Sequence, residues 1–158
     1  MTVHEIIQEF IKKNKYLQDE HVLGILFYGS YQYGLNNQNS DIDLHIIYDD
    51  SNPKHLIRGN TFINGTRIEY FEKTIDEIYN EVEDGYANQD NATESIIGKS
   101  EIIYEKDNNM QDIQAYVLNK FKNGLPRLIE NEAKEQVSII NNRMEKLKKY
   151  AEEDSYFF

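Results

Sequence analysis

Between residues 29 and 44 the chain reads Gly-Ser-Tyr-Gln-Tyr-Gly-Leu-Asn-Asn-Gln-Asn-Ser-Asp-Ile-Asp-Leu, which sets a Gly-Ser pair a short way ahead of two carboxylates. Gly29 has no side chain and lets the backbone come close to a ligand. The Ser30 hydroxyl and the N–H groups of the turn after it suit phosphate oxygens. Asp41 and Asp43 alternate with Ile42 and Leu44, so on an extended chain both acids face one side, about 7 Å apart. Hard oxygen ligands in that arrangement can hold one or two Mg²⁺ ions. Divalent ions between these carboxylates and a triphosphate would neutralise both and align an in-line displacement at phosphorus. A Gly-Ser pair alone marks a loop, and Asp-x-Asp alone marks a solvated strand start. Their joint occurrence, with a strand on each side, is what points to chemistry.

Those groups need strands to hold them. Val22 to Tyr28 is a short, continuous apolar run, as expected of a strand covered on both faces, and it ends at Gly29-Ser30. From Ser40, Ile42, Leu44 and Ile46 alternate with Asp41, Asp43 and His45. A further alternating pair, Thr61 to Ile63 and Thr66 to Phe71, is joined by Asn64-Gly65, a two-residue hairpin signal that puts Glu69 on one face with Arg67 and Phe71. Helical spacing is clear at Val3, Ile6, Ile7, Phe10 and Ile11 behind a Thr2/Glu5 capping box. It recurs at Ile75, Ile78, Tyr79 and Val82 behind Thr74/Glu77, with a stop near Gly85. Glu101 to Glu105 reads as a strand. Asp107 is placed to cap a helix carrying Met110, Ile113, Val117, Leu118 and Phe121, which closes at Gly124. Pro126 suits the first turn of a last helix, whose seam Ile129, Ala133, Val137, Ile140, Met144, Leu147 and Ala151 must pack on another helix. The pattern predicts an α+β fold, a mixed sheet flanked by helices over residues 1–106, followed by a helical appendage over 107–158.

Composition narrows the partners. Among 158 residues, 17 Lys and Arg stand against 28 Asp and Glu, a formal charge of −11. Such a chain repels polynucleotides at long range, and an anionic substrate needs metal ions to bridge it. The absence of cysteine removes thiolate metal sites and cysteine nucleophiles. No apolar stretch approaches the roughly 20 residues of a membrane helix. The start Met1-Thr2-Val3-His4-Glu5 lacks a secretory pattern, so a cytoplasmic location is the default.

Gly29-Ser30, the spacer Tyr31 to Ser40 with Gly34 inside it, and Ser40-Asp41-Ile42-Asp43-Leu44 together resemble the nucleotidyltransferase superfamily. That superfamily includes DNA polymerase β, poly(A) polymerases, antibiotic nucleotidyltransferases and small stand-alone members. The resemblance covers residues 1 to about 105 and rests on that first motif. It implies transfer of a nucleoside monophosphate, with AMP the expected group, from a nucleoside triphosphate to a hydroxyl, with release of pyrophosphate. Mg²⁺ would be held by Asp41 and Asp43. A third carboxylate usually comes from a later antiparallel strand, and Glu69 in Arg67-Ile68-Glu69-Tyr70-Phe71 matches it, with glutamate where aspartate is frequent. Gly29 and Ser30 would hold the β and γ phosphates. The general base is often supplied by the helical part, where Glu130, Glu132 and Glu135 stand without distinction.

The acidic balance leaves a small-molecule acceptor, such as an aminoglycoside or lincosamide, or a protein side chain. Two other readings stay open. One is a minimal antitoxin that modifies or masks a helical toxin, although the arginine often found in that motif spacer is absent here; the other is a silent binding module. The aromatic end Tyr156-Phe157-Phe158 and the helical seam point to a homodimer through the C-terminal helices. His45 lies on the carboxylate face, where the ordinary expectation is a satisfied polar neighbour. Lys54, His55 and Arg58 read as a solvated loop, Arg67 and Lys73 are ambiguous, and Tyr28, Tyr31 and Tyr33 suit stacking or packing alike.

Overall fold

The computed structural model describes residues 1–51, 58–127 and 130–154. Lys54, His55, Ile129, Tyr156, Phe157 and Phe158 lie outside the described residues.

Five strands build one sheet: β1 (Val22–Tyr28), β2 (Ile42–Tyr48), β3 (Gly59–Ile63), β4 (Thr66–Thr74) and β5 (Glu101–Glu105), in the order β3-β4-β2-β1-β5. β1, between β2 and β5, runs antiparallel to both. Asn64 and Gly65 turn the β3–β4 hairpin with φ of 49° and 79°, the double positive φ of a type I′ turn. β4 is therefore antiparallel to β3, yet it lies parallel to β2. The strand of Glu69 thus runs alongside the aspartate strand in the same direction, because β3 uses up the reversal.

The sheet is covered on both faces, which explains the unbroken apolar run of β1. Ile25 and Phe27 join Ile42, Leu44, Ile46 and Ile68 against α1 (Val3–Asn14). α1 begins at the expected capping box: Thr2 N–H donates to Glu5 Oε2 at 2.6 Å and Glu5 N–H to Thr2 Oγ1 at 3.3 Å. Leu26 and Ile47 face the other way, onto α2 (Ile75–Ala87), a π-helical turn (Glu94–Gly98) and α3 (Asn109–Phe121). Thr74 closes β4 and at once caps α2, with Glu77 N–H donating to Thr74 Oγ1 at 3.2 Å. α2 continues past Gly85, where the sequence predicts its stop. That glycine instead admits Thr93, whose Oγ1 would sit 2.7 Å from a Cβ there.

α3 corrects the expected division at residue 106. Its Met110, Ile113 and Val117 are fully buried against the sheet, and the compact unit extends from Met1 to Leu125. Helical periodicity announced an apolar face on α3 without naming what receives it. Its start also differs: Asn108, at φ 62°, occupies the N-cap position and makes no side-chain capping bond, while Asp107 has φ 57°. The second unit begins at Pro126 and is built on α4 (Glu130–Asp154). Val137, Ile140, Met144 and Leu147 on α4 are exposed, since their own unit offers no second helix among the described residues.

If α3 belongs to the body, a chain ending at Leu125 unfolds in one cooperative thermal transition and a chain ending at Lys106 does not. Each of three buried side chains is worth about 1.5–3 kcal/mol, and a domain's whole stability is roughly 5–15 kcal/mol. Calorimetry of the two truncations checks this; a cooperative 1–106 fragment would contradict it.

Candidate active site

The end of β1 and the start of β2 build the site. Tyr28 pairs with Asp43 across the antiparallel ladder, and Asp43 pairs with Glu69 across the parallel one. Paired residues share a face, so Tyr28, Asp43 and Glu69 form a row across three adjacent strands, with Asp41 two residues before Asp43. Gly29 leaves β1 at φ +87°, and a Cβ on it would lie 2.3 Å from Asp43 Oδ2. The backbone angle disfavours any other residue, and a Cβ would also push the Asp43 carboxylate aside. The next turn is closed by the Leu35 N–H donating to the Ser30 carbonyl at 2.9 Å and the Gly34 N–H to the Tyr31 carbonyl at 3.3 Å. The loop before Asp41 is tied by Asn37 N–H to Ser40 Oγ at 2.9 Å and Asn39 N–H to Asn37 Oδ1 at 2.8 Å.

Charge is crowded here. Asp43 is pushed up to about 6, first by burial and then by the neighbouring Glu69 and Asp41 carboxylates, with Arg67 opposing. Arg67 Nη1 lies 3.2 Å from Asp41 Oδ2, and its Nη2 lies 3.7 Å from Glu69 Oε1. Arg58 Nε donates to the same Glu69 oxygen at 3.0 Å. Asp41 and Glu69 thus each have a guanidinium, whereas among the described residues Asp43 has none. As the side chains stand, the described residues also contain no group of three or more His, Asp or Glu placed to hold a metal ion. The arginines engage two of the three acids.

Gly29, Asp41, Asp43 and Glu69 are therefore brought together, with Ser30 on the turn beside them. Arg58 and Arg67 belong to the same cluster. The alternation on β4 already placed Arg67 on the face of Glu69, but only the tertiary contact shows that it reaches Asp41. Tyr31, Asn39, Asp41, Phe62 and Arg67 line a hollow of about 270 Å³ on the side of Asp41. Lys73 turns away from the carboxylates to Glu81 of α2, 2.5 Å away. His45 is 3% exposed and its Nδ1 has no hydrogen-bond partner among the described residues, so it is not the satisfied neighbour expected. Burial, with Lys73 adding, holds its imidazole neutral, down to about 3. Glu132 and Glu135 are exposed on α4.

Residues 5–150 match the family described as nucleotidyltransferase domain. The chain belongs to that family. Among solved structures, this nucleotidyltransferase is similar to a nucleotidyltransferase-like protein from Exiguobacterium sibiricum 255-15, with a TM-score of 0.55 and 12% identity. That likeness covers 72% of this chain and 38% of the other, so this nucleotidyltransferase spans well under half the length of that protein. A structure described as a toxin-antitoxin with AMP-PNP matches with a TM-score of 0.42 and 13% identity, over 90% of this chain and 98% of the other. No curated protein sequence matches. The α+β sheet-and-helix architecture predicted from the sequence is the family's fold.

Two outcomes follow for the ion-free protein. The charged form of Asp43 is disfavoured in the fold, so stability that is full below pH about 4 is lost as pH rises through about 6. Asp43→Asn removes that loss: in chelator its thermal midpoint lies above the parent's at pH 7.5, and the two converge toward pH 4. Equal midpoints at pH 7.5 would contradict the crowding. Gly29→Ala, in contrast, destabilises by about 1–2 kcal/mol through its positive φ alone, as denaturant titration will show.

Proposed function

We propose that this nucleotidyltransferase moves a nucleoside monophosphate, with AMP the expected group, from a nucleoside triphosphate to a hydroxyl of a small molecule. The observation that carries the reading is the Asp43 carboxylate, seated against Gly29 and crowded by Asp41 and Glu69, with no ion-pair partner among the described residues. Three carboxylates are a hard oxygen donor set that fits Mg²⁺, and the glycine cradle leaves Asp43 unobstructed. Asp41, Asp43 and Glu69 would hold the ion. When bound it neutralises the phosphates and polarises the reacting phosphorus.

The chain's own groups have separable roles. Gly29 lets the backbone approach the β and γ phosphates, and the Ser30 hydroxyl donates to them. Arg58 and Arg67 carry planar, permanently charged forks suited to phosphate oxygens once the carboxylates engage the ion. The acceptor hydroxyl attacks the α-phosphorus and gives up its proton to solvent, the bond from that phosphorus to the bridging oxygen breaks, and pyrophosphate leaves. The hollow beside Asp41, lined by the polar side chains of Gln38, Asn39, Ser40 and Thr66, suits a hydroxyl-rich acceptor such as an aminoglycoside or lincosamide. A chain of charge −11 disfavours a polynucleotide in that place.

One observation favours a protein partner as a second reading. Val137, Ile140, Met144 and Leu147 on α4 are exposed at spacings of three and four, an apolar seam that a second helix would cover. A second copy of this chain or a helical toxin would each supply one.

Incubation with each labelled triphosphate, Mg²⁺ and a panel of aminoglycosides, lincosamides and lysate protein tests the main reading. Asp41→Asn or Asp43→Asn abolishes transfer, at a loss of several kcal/mol of transition-state stabilisation. Glu69→Gln lowers the rate and keeps nucleotide binding. Ser30→Ala weakens triphosphate binding by about 1–3 kcal/mol and monophosphate binding less, as calorimetry reads. Near-parental transfer by either aspartate variant would overturn the metal assignment.

A further inference from the structure

The turn that carries Ser30 has little packing of its own. Residues 33–39 are exposed, and the hydrogen bonds that shape the turn join near neighbours in sequence. Such bonds set the form of a turn but not its place on the body. Longer contacts do that. Gly29 sits against Asp43, and Tyr31 packs on the apolar layer that α1 covers. Gln32 reaches furthest: its Nε2 donates to the Lys99 carbonyl at 2.8 Å, across 67 positions of chain.

Lys99 directly follows the π-helical turn, and that turn is firmly tied. The Lys99 N–H donates to the Glu94 carbonyl at 3.0 Å, and the Ser100 hydroxyl donates to the Ile97 carbonyl at 2.8 Å. From α3, Gln114 Nε2 donates to the Ile97 carbonyl at 3.1 Å and to the Ser100 carbonyl at 2.8 Å. Ile97 is buried with Val117 of α3 in the layer on the face opposite α1. Gln32 therefore binds a fixed anchor, and the Ser30 turn is held from both faces of the sheet. The bond is kept at a cost. Gln32 Oε1 is shut away from water and has no hydrogen-bond partner among the described residues. A glutamine in open solvent would satisfy both ends of its amide, so this one is inserted for its position rather than for stability.

We propose that Gln32 is a positioning residue for the distal phosphates: it docks the turn against Lys99 and so holds the Ser30 hydroxyl where those phosphates bind. The proposal rests on the reading that Gly29 and Ser30 hold the β and γ phosphates. Gln32 acts through Ser30 rather than on the nucleotide. A hydroxyl already held in place need not be ordered when the ligand arrives, and the affinity gain is that saving.

Calorimetry with magnesium ATP on four proteins tests this: the parent, Gln32→Ala, Ser30→Ala and the double variant. Gln32→Ala should weaken ATP by about ten-fold, the worth of one hydrogen bond to a charged group. In the Ser30→Ala background the same change should cost less than about two-fold, because the hydroxyl it positions is gone. Lys99 is exposed, so water replaces the lost donor and the thermal midpoint should stay near the parent's. Gln32→Asn keeps the amide but falls short of the carbonyl, and it should repeat the alanine result. In the ligand-free protein, solvent exchange of the Leu35 N–H, which closes the turn, should be faster in Gln32→Ala than in the parent. Unchanged ATP affinity in both Gln32 variants overturns the proposal, and an equal loss in the two backgrounds overturns it in favour of a purely structural role. Unchanged exchange at Leu35 overturns the docking itself. A parent that does not bind magnesium ATP overturns the phosphate reading, and the proposal with it.

Discussion

The Asp43 carboxylate lies directly against the Cα of Gly29, in the space a Cβ would take. That contact ties the turn after β1 to the start of β2, and the remainder of the site is referred to it. The antiparallel register puts Tyr28 beside Asp43, and the parallel register puts Glu69 on the other side. A slip of one residue in either ladder would turn the acids toward the packed face with Ile42 and Leu44. The two apolar layers, with α1 on one face and α2 and α3 on the other, therefore fix the register as well as the stability.

The same contact sets an electrostatic conflict. Three carboxylates converge at the edge of a buried sheet, and two find arginines while the third is held half-buried and raised in pKa. Folding works against this grouping wherever Asp43 is ionised. Stability is given up locally and recovered in the core, where Phe10, Phe27, Ile25 and Leu26 are essentially without exposure.

Local signals survived folding intact. β1 runs over the apolar segment Val22 to Tyr28, both capping boxes form, and Asn64-Gly65 makes the hairpin. Each depends on neighbours within a few residues. The convergence of Gly29, Asp41, Asp43 and Glu69 was also legible, because alternation decides faces before any packing is known. What stayed hidden required long-range partners. The apolar stripe of α3 does not say that β1 and α2 receive it, and Arg67 does not say that Asp41 is within reach. His45 loses its expected partner only because Tyr28, Phe71 and the π-helical turn close around it. Asn108, rather than Asp107, starts α3 because both residues adopt left-handed φ at that corner.

The position of β5 bears on how the molecule is made. β1 sits between β2 and β5, so its second edge is sealed by residues 101–105 and its second face by α3. Synthesis delivers Gly29, Asp41, Asp43 and Glu69 well before either arrives. Through that interval the nascent chain has every acidic group of the site and, beside them, an unpaired edge carrying Ile25, Leu26 and Phe27. Such an edge invites pairing with a neighbouring chain.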